Sequence, residues 1–234
     1  EIIIKWRFNV FMDKLYMILL CLMIVPILIC IKYSRKIKSD VASSIVKCLI
    51  FTIVTILSNG LSAFSGNETF SYIMEALYRF SFDLMLIYVL QYSQQYTRVF
   101  HEVSPFKKGC FIIAYLDGIL LFLNIIFHNV FTIETVRFPN FDMYHVADKS
   151  IIFYFHYVFA YGLVFCIIAS FIIKIIQIPD FYRKKYLPIL VLMCVITVSK
   201  FICGILEFPI DVSLPFFCMR SNTDLLPDTV PFSA

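Results

Sequence analysis

Three ionisable residues recur at four-residue intervals inside one apolar stretch of the chain. Glu75, Arg79 and Asp83 stand at positions i, i+4 and i+8, so on a helix they lie along one face. Ionisable side chains at membrane depth are costly and face the interior of a helical bundle or a water-filled cavity. Together with Lys200, which falls at a similar depth in a later stretch, they predict a ligand-binding pocket that opens outward and recognises a small polar or anionic ligand.

The same residues have a structural alternative. Glu75, Arg79 and Asp83 can neutralise one another as a buried brace between helices, and this brace is compatible with a pocket. Asp117 is expected at a depth that matches Asp83, in the inner half of the bundle. The sequence contains no Gly-rich phosphate loop, H-E-x-x-H motif or nucleophile elbow. We therefore expect no catalytic residues, no cofactor and no enzymatic activity.

The histidines offer weaker grounds for a metal site. His128, His145 and His156, with Asp142 and Asp148 nearby, have spacings that match no dedicated metal-binding motif. His156 stands in an aromatic run and is more simply interpreted as part of an interfacial aromatic belt. The 8 cysteines form no C-x-x-C pair, so neither a zinc site nor a disulfide framework is expected. The sequence therefore predicts no bound metal.

The composition indicates that lipid is the solvent of most of the chain. Of 234 residues, 61% are hydrophobic and only 15% are charged, whereas a soluble domain has roughly 25% charged residues. The net charge of +4 comes from basic and acidic residues spread along the chain, so binding to nucleic acid is not expected. The main partner is membrane lipid, and the fold class is an all-α integral membrane protein.

Six apolar runs are long enough to cross a hydrocarbon layer of about 30 Å. Since lipid offers the backbone no hydrogen-bond partners and the runs do not alternate, we predict helices. A seventh run begins at Val212 and stops at Met219, which is too short to cross. This pattern predicts an N-terminal tail at 1–14, a polytopic helical bundle at 15–219 and a C-terminal tail at 220–234. The six runs are Leu15–Ile31, Ile45–Phe64, Phe70–Tyr92, Cys110–Phe131, Ile151–Ile173 and Tyr186–Leu206.

Basic residues set the expected orientation. The connections after the first, third and fifth runs carry most of the lysines and arginines between the runs. Short basic loops stay in the cytoplasm, so we expect a multi-pass protein of the inner (plasma) membrane with its N-terminus outside. The segment 128–149 then becomes the longest external loop, which could act as a lid or a recognition surface.

Several short motifs follow one another in a characteristic order. They are the turn Gly66-Asn67-Glu68 within Ser43–Arg98, the span end Tyr88–Tyr92, the basic loop Phe181–Pro188, the turn Phe208–Pro215 and the segment Asp224–Pro227. As an ordered set they resemble the N-terminal seven-transmembrane sensor region of bacterial histidine kinases and diguanylate cyclases. The resemblance implies a cytoplasmic output module in cis, such as a kinase, a cyclase or a PAS module, and a homodimer. It also implies that the seventh helix is truncated or deleted and that 220–234 is the junction to a missing output domain.

We therefore expect the sensor domain of a bacterial signal-transduction protein, which detects an extracellular or intramembrane ligand. The main alternative is a small secondary transporter or channel, whose path Asp117 would line together with the four pocket residues. A G-protein-coupled receptor is disfavoured, because Gln94-Gln95-Tyr96 stands where a D-R-Y-like triplet belongs. A membrane-embedded enzyme is the least favoured alternative.

Overall fold

The structure is a computed structural model of mostly helical character. It describes Ile18, residues 22–64, 67–97, 104–138 and 141–179, and single positions at 183, 187, 190, 191, 194, 195 and 198. Its helices over the continuous ranges are α1 (Leu22–Ser34), α2 (Asp40–Phe64), α3 (Glu68–Thr97), α4 (Ser104–Phe127) and α5 (Ile151–Gln177). Two strands, β1 (Phe131–Phe138) and β2 (Phe141–Lys149), lie between α4 and α5.

Within the described ranges, three helices are long and apolar enough to cross a membrane. They are Asp40–Ser62, Pro105–Phe127 and Ile151–Gln177, and only 22%, 33% and 28% of their most apolar windows are buried within the described protein. A protein dissolved in water would not leave so much contiguous apolar surface open. These helices therefore indicate a membrane protein, as the composition predicted.

The second to fifth predicted spans coincide in position with α2 to α5 but not at every end, and α3 is not among the three helices that are apolar enough to cross a membrane. The fourth run was expected to reach Phe131, and this is wrong because α4 ends at Phe127 and Phe131 begins β1. The sixth run is described only at scattered positions, all helical. The aborted seventh run and both tails, 1–14 and 220–234, lie outside the described residues.

Helix α3 is central, because it contacts α2, α4 and α5. Its 30 residues extend over about 45 Å at the helical rise of 1.5 Å per residue. Small polar side chains let α2 approach it closely, in the manner of helix contacts in lipid. The hydroxyls of Thr55 and Ser81 lie 3.0 Å apart, and Ser44 Oγ donates to Gln95 Oε1 at 2.9 Å. The most charged helix is therefore surrounded by more apolar ones.

The start of α3 is fixed by Asn67. Its Oδ1 accepts a hydrogen bond from the backbone N–H of Phe70 at 3.3 Å, which is the usual arrangement of a helix N-cap. The tripeptide Asn67-Glu68-Thr69, which also matches a glycosylation acceptor, thus has a structural role as the beginning of the central helix.

The segment 128–149 forms an antiparallel β-hairpin, in which Phe138 pairs with Phe141 and Glu134 with His145. The expectation of a purely α-helical fold is therefore wrong at this point, whereas the external position of this segment stays a prediction. The physical reason is local, since Phe131–Phe138 is rich in aromatic and β-branched residues and only two residues separate it from the second strand.

The base of the hairpin is held by side chains from the helices. Asn124 of α4 is fully buried; its Nδ2 donates to the carbonyl of Phe131 at 2.8 Å, and its Oδ1 accepts from the N–H of Val130 at 2.7 Å. Tyr72 of α3 accepts a hydrogen bond from the N–H of Ile133 at 3.0 Å through its hydroxyl oxygen. The hairpin is thus fixed to both α3 and α4.

Replacing Asn124 by leucine should lower the free energy of unfolding by about 1–3 kcal/mol, because buried backbone groups of the hairpin lose their partners. The measurement is SDS-induced unfolding of the purified protein in detergent. Asn129→Leu is the matched control, since Asn129 lies in the same connection but is exposed. Equal stability of the two variants would show that Asn124 does not anchor the hairpin.

Candidate functional site

Two apolar clusters are stacked along the bundle. The hairpin-side cluster comprises Tyr72, Ala76, Leu121, Val130, Phe131 and Phe153. The distal cluster comprises Leu84, Leu86, Ile87, Leu90, Cys110, Ala114, Ala160, Leu163, Ile167 and Phe171. Asp83, Asp117 and His156 lie between the two clusters, and Arg79 and Glu75 continue from Asp83 along α3 toward the hairpin; these five residues are called the charged layer.

Asp83 on α3, Asp117 on α4 and His156 on α5 meet at one level of the bundle. Along its own helix, each of them stands between a member of the hairpin-side cluster and a member of the distal cluster. These flanking residues are Ala76 and Leu84 for Asp83, Leu121 and Ala114 for Asp117, and Phe153 and Ala160 for His156. Water-excluding side chains therefore cover the layer from both sides. Charge–charge interactions in such surroundings are much stronger than at a protein surface.

His156 brings two carboxylates together. Its Nδ1 lies 2.7 Å from Asp117 Oδ2 and 3.3 Å from Asp83 Oδ2. The three residues are 3%, 2% and 0% exposed, in that order. Because a carboxylate only accepts hydrogen bonds, the ring nitrogen that faces Asp117 carries the hydrogen and donates it. One imidazole thus joins α3, α4 and α5.

Asp83 is the least satisfied member of the layer. Neither of its carboxylate oxygens has a hydrogen-bond partner among the described residues, although both are buried. A buried acceptor without a partner is unfavourable by about 1–3 kcal/mol, and more when it is charged. The site therefore has unused capacity to bind a positively charged group.

Glu75 and Arg79 form the second half of the layer. The Arg79 guanidinium donates to the carboxylate of Glu75, and the hydroxyl of Ser62 on α2 donates to the same carboxylate at 3.2 Å. The guanidinium carbon of Arg79 also lies 4.3 Å from the ring centroid of Phe153. Such a position favours the cation through the ring quadrupole. The rings of Tyr78, Phe131 and Tyr157 complete this aromatic surrounding within 6 Å.

The charge balance of the layer is negative. Glu75 and Arg79 cancel each other, which leaves two aspartates with one imidazole. Even a protonated imidazole balances only one of the two carboxylates. Buried charges need a partner of opposite sign, so the arrangement is suited to a cation or a proton.

The predicted pocket residues are partly brought together. Glu75, Arg79 and Asp83 share the layer, while Lys200 lies outside the described residues, and ligand binding by this set stays a prediction. The expected equal depth of Asp83 and Asp117 is confirmed by their common contact with His156. The interpretation of His156 as a residue of an interfacial aromatic belt is wrong, because it is buried between three helices.

The sequence analysis did not assign His156 to the site and considered it for a metal with other partners. His145, Asp142 and Asp148 lie in β2, and His128 packs its ring against Tyr72 at 4.6 Å. One signal could have identified the correct set. Asp117 is the only Asp, Glu, Lys, Arg or His between Cys110 and Phe127, and His156 is the only one between Ile151 and Ile173; such residues at membrane depth are functional candidates by default.

Gly118 lets α4 approach α3 beside Asp117. A Cβ at this position would lie 2.5 Å from a ring carbon of Phe80. We expect Gly118→Val to lower the free energy of unfolding by about 1–3 kcal/mol through overpacking. Gly162→Val in α5 is the control, since nothing lies within 4 Å of its Cβ position. Thermal unfolding in detergent compares the two, and equal losses would contradict a specific α3–α4 approach.

The chain was also compared with known proteins. No family model matches it, and no curated protein matches it significantly.

Proposed function

We propose that the chain is a membrane-embedded sensor domain of a bacterial signal-transduction protein. In this proposal six complete helices cross the plasma membrane, α3 among them, with the N-terminus outside, and a seventh helix leads back to the cytoplasmic side. The β-hairpin then lies on the outer side, and the domain relays a ligand signal to a cytoplasmic output module. The charged layer supports this proposal best, because its members Asp83, Asp117 and His156 connect three helices through one residue each.

A layer of this kind favours two discrete packings of the helices. Asp83, Asp117 and His156 are held by mutual electrostatics rather than by interlocking apolar side chains. A ligand that changes the charge or geometry of the layer interacts differently with each packing and so shifts their populations. Shifts of about 1–2 Å between packed helices are sufficient for signalling.

The exposed fractions of the side chains favour binding of the ligand from the hairpin side. In the Glu75–Arg79 pair, Glu75 is the more exposed, with 12% of its side chain accessible against 6% for Arg79. It lies one helical turn from Arg79 and two turns from Asp83 on α3. A ligand that contacts Glu75 would therefore be coupled to the buried triad through neighbouring charges.

The test is a distance measurement at the opposite end of the bundle. Spin labels on Lys108→Cys in α4 and Ile176→Cys in α5, both exposed positions, report the separation of these helix ends in a chain otherwise free of cysteine. We expect Glu75→Gln to shift this distance by about 1–2 Å or more. Glu68→Gln, in the exposed first turn of α3, should leave it unchanged. An unchanged distribution for both variants would contradict the proposed relay.

A secondary transporter or channel is the second candidate. It is favoured by the buried Asp83–Asp117–His156 set, since chains of carboxylates and imidazoles at membrane depth serve as proton relays in transporters. Proteoliposomes that contain a pH-sensitive dye separate the two functions. Proton flux that Asp83→Asn abolishes would establish transport, whereas flux no faster than in empty vesicles favours a sensor.

A further inference from the structure

We propose that Asp83, Asp117 and His156 bind a divalent first-row transition-metal ion. The role of this ion as the detected signal rests on the proposed sensor function. The binding of the ion follows from the local chemistry alone. The site lies between α3, α4 and α5, so an ion in it would tie together the three helices that the layer connects.

The three donor atoms have the chemical types and the close spacing that a metal ion requires. One donor atom from each residue lies within 4.8 Å of the other two. Two carboxylate oxygens and one imidazole nitrogen suit zinc or manganese, and three protein ligands leave room for a further one. Zinc bond lengths place neighbouring ligand atoms about 3.4 Å apart. The contact of His156 Nδ1 with Asp83 at 3.3 Å already matches this, and the contact with Asp117 at 2.7 Å must open slightly.

The state of Asp83 is an independent argument for a bound cation. Its side chain is fully buried, and its contact with His156 Nδ1 at 3.3 Å involves a nitrogen that is hydrogen-bonded to Asp117, so among the described residues neither oxygen of Asp83 has a well-formed hydrogen bond of its own. A structural carboxylate would normally have donors around it. A metal ion supplies the missing interaction directly, because it binds carboxylate oxygens without needing a donor.

One divalent ion balances the charge of the site, whereas a single proton does not. A protonated His156 leaves one negative charge among the buried groups of the triad, whereas a divalent cation balances both carboxylates. The imidazole then binds through the Nδ1 lone pair and keeps its hydrogen on Nε2. An imidazole that was protonated beforehand releases one proton to solvent on binding.

The first experiment measures Mn²⁺ binding by electron paramagnetic resonance on the full chain in detergent after removal of metals. Mn²⁺ is chosen because the 8 cysteines would compete for softer metals. We expect one bound Mn²⁺ per chain, displaced by Zn²⁺, with affinity reduced more than about 100-fold by Asp83→Asn or Asp117→Asn. His128→Asn, at an exposed histidine, should bind as the wild type does. No bound Mn²⁺, or equal binding by all variants, would overturn the proposal.

A second measurement separates loss of binding from loss of folding. Without metal, Asp83→Asn should raise the melting temperature above that of the wild type, because one of two close buried charges is removed. With Mn²⁺, the wild type should gain stability by mass action and Asp83→Asn should not. If Asp83→Asn is stabilised without metal and Mn²⁺ does not change the melting temperature of the wild type, the site binds protons alone. This result would leave the sensor proposal intact. Mn²⁺ binding without any change in the spin-label distance would refute the ion as the detected signal and retain the metal site.

Discussion

Arg79→Met is expected to lower the free energy of unfolding by about 3–5 kcal/mol, the usual effect of removing one partner of a buried ion pair. The substitution leaves the Glu75 carboxylate with the Ser62 hydroxyl but without its cation. It also removes the guanidinium from the face of Phe153, although methionine retains much of the apolar volume. The measurement is SDS-induced unfolding in detergent.

A double-mutant cycle distinguishes charge from packing. Glu75→Gln combined with Arg79→Met should recover most of the lost stability, because no charge is then left unpaired. Glu75→Gln alone should be milder than Arg79→Met, since the guanidinium keeps its aromatic surrounding. Arg79→Lys keeps the positive charge but not the planar guanidinium, so it is the control for the shape of the cation. If the double variant is as unstable as Arg79→Met alone, the Glu75–Arg79 pair does not carry the effect.

His156→Leu should have an effect of similar size, about 3–5 kcal/mol. It removes the nitrogen that stands between Asp83 and Asp117 and leaves two buried carboxylates close together without a donor. The triple variant with Asp83→Asn and Asp117→Asn should regain most of the stability, since amides can donate to each other. Recovery of monodisperse folded protein and its melting temperature provide the measurement. A His156→Leu variant as stable as the wild type would mean that the imidazole does not hold the layer together.

The positions of the charged residues were largely predictable, but their partners were not. The spacing of Glu75, Arg79 and Asp83 predicts one helical face, and Glu75 and Arg79 do form an ion pair. Asp83 lies eight residues after Glu75, and at about 100° per residue the two side chains leave the helix in directions that differ by about 80°. Glu75 therefore meets Ser62 of α2, while Asp83 turns toward α4 and α5.

The arrangement of helices decides the remaining partners, and hydropathy does not report it. Asp117 and His156 are adjacent only because α4 and α5 pack on the same side of α3, and they are 39 residues apart in sequence. Asn124 is a similar case, because its partners lie in a hairpin that the apolar run concealed. The β-branched residues of this hairpin and its two-residue connection can be seen in the sequence. Because the fourth span was predicted from hydrophobicity alone, it was extended through Phe131.

The central claim is that α3 crosses the membrane with its charges enclosed by the other helices. The most direct test is labelling of intact cells with a membrane-impermeant maleimide, in a chain otherwise free of cysteine. Glu68 and Lys108 are exposed positions beyond the two ends of the proposed crossing, and Ser81 is buried near the middle of α3; each is replaced by cysteine in turn. We predict labelling of Glu68→Cys from outside, labelling of Lys108→Cys only after permeabilisation, and no labelling of Ser81→Cys before denaturation. Labelling of the two end positions from the same side would contradict the account.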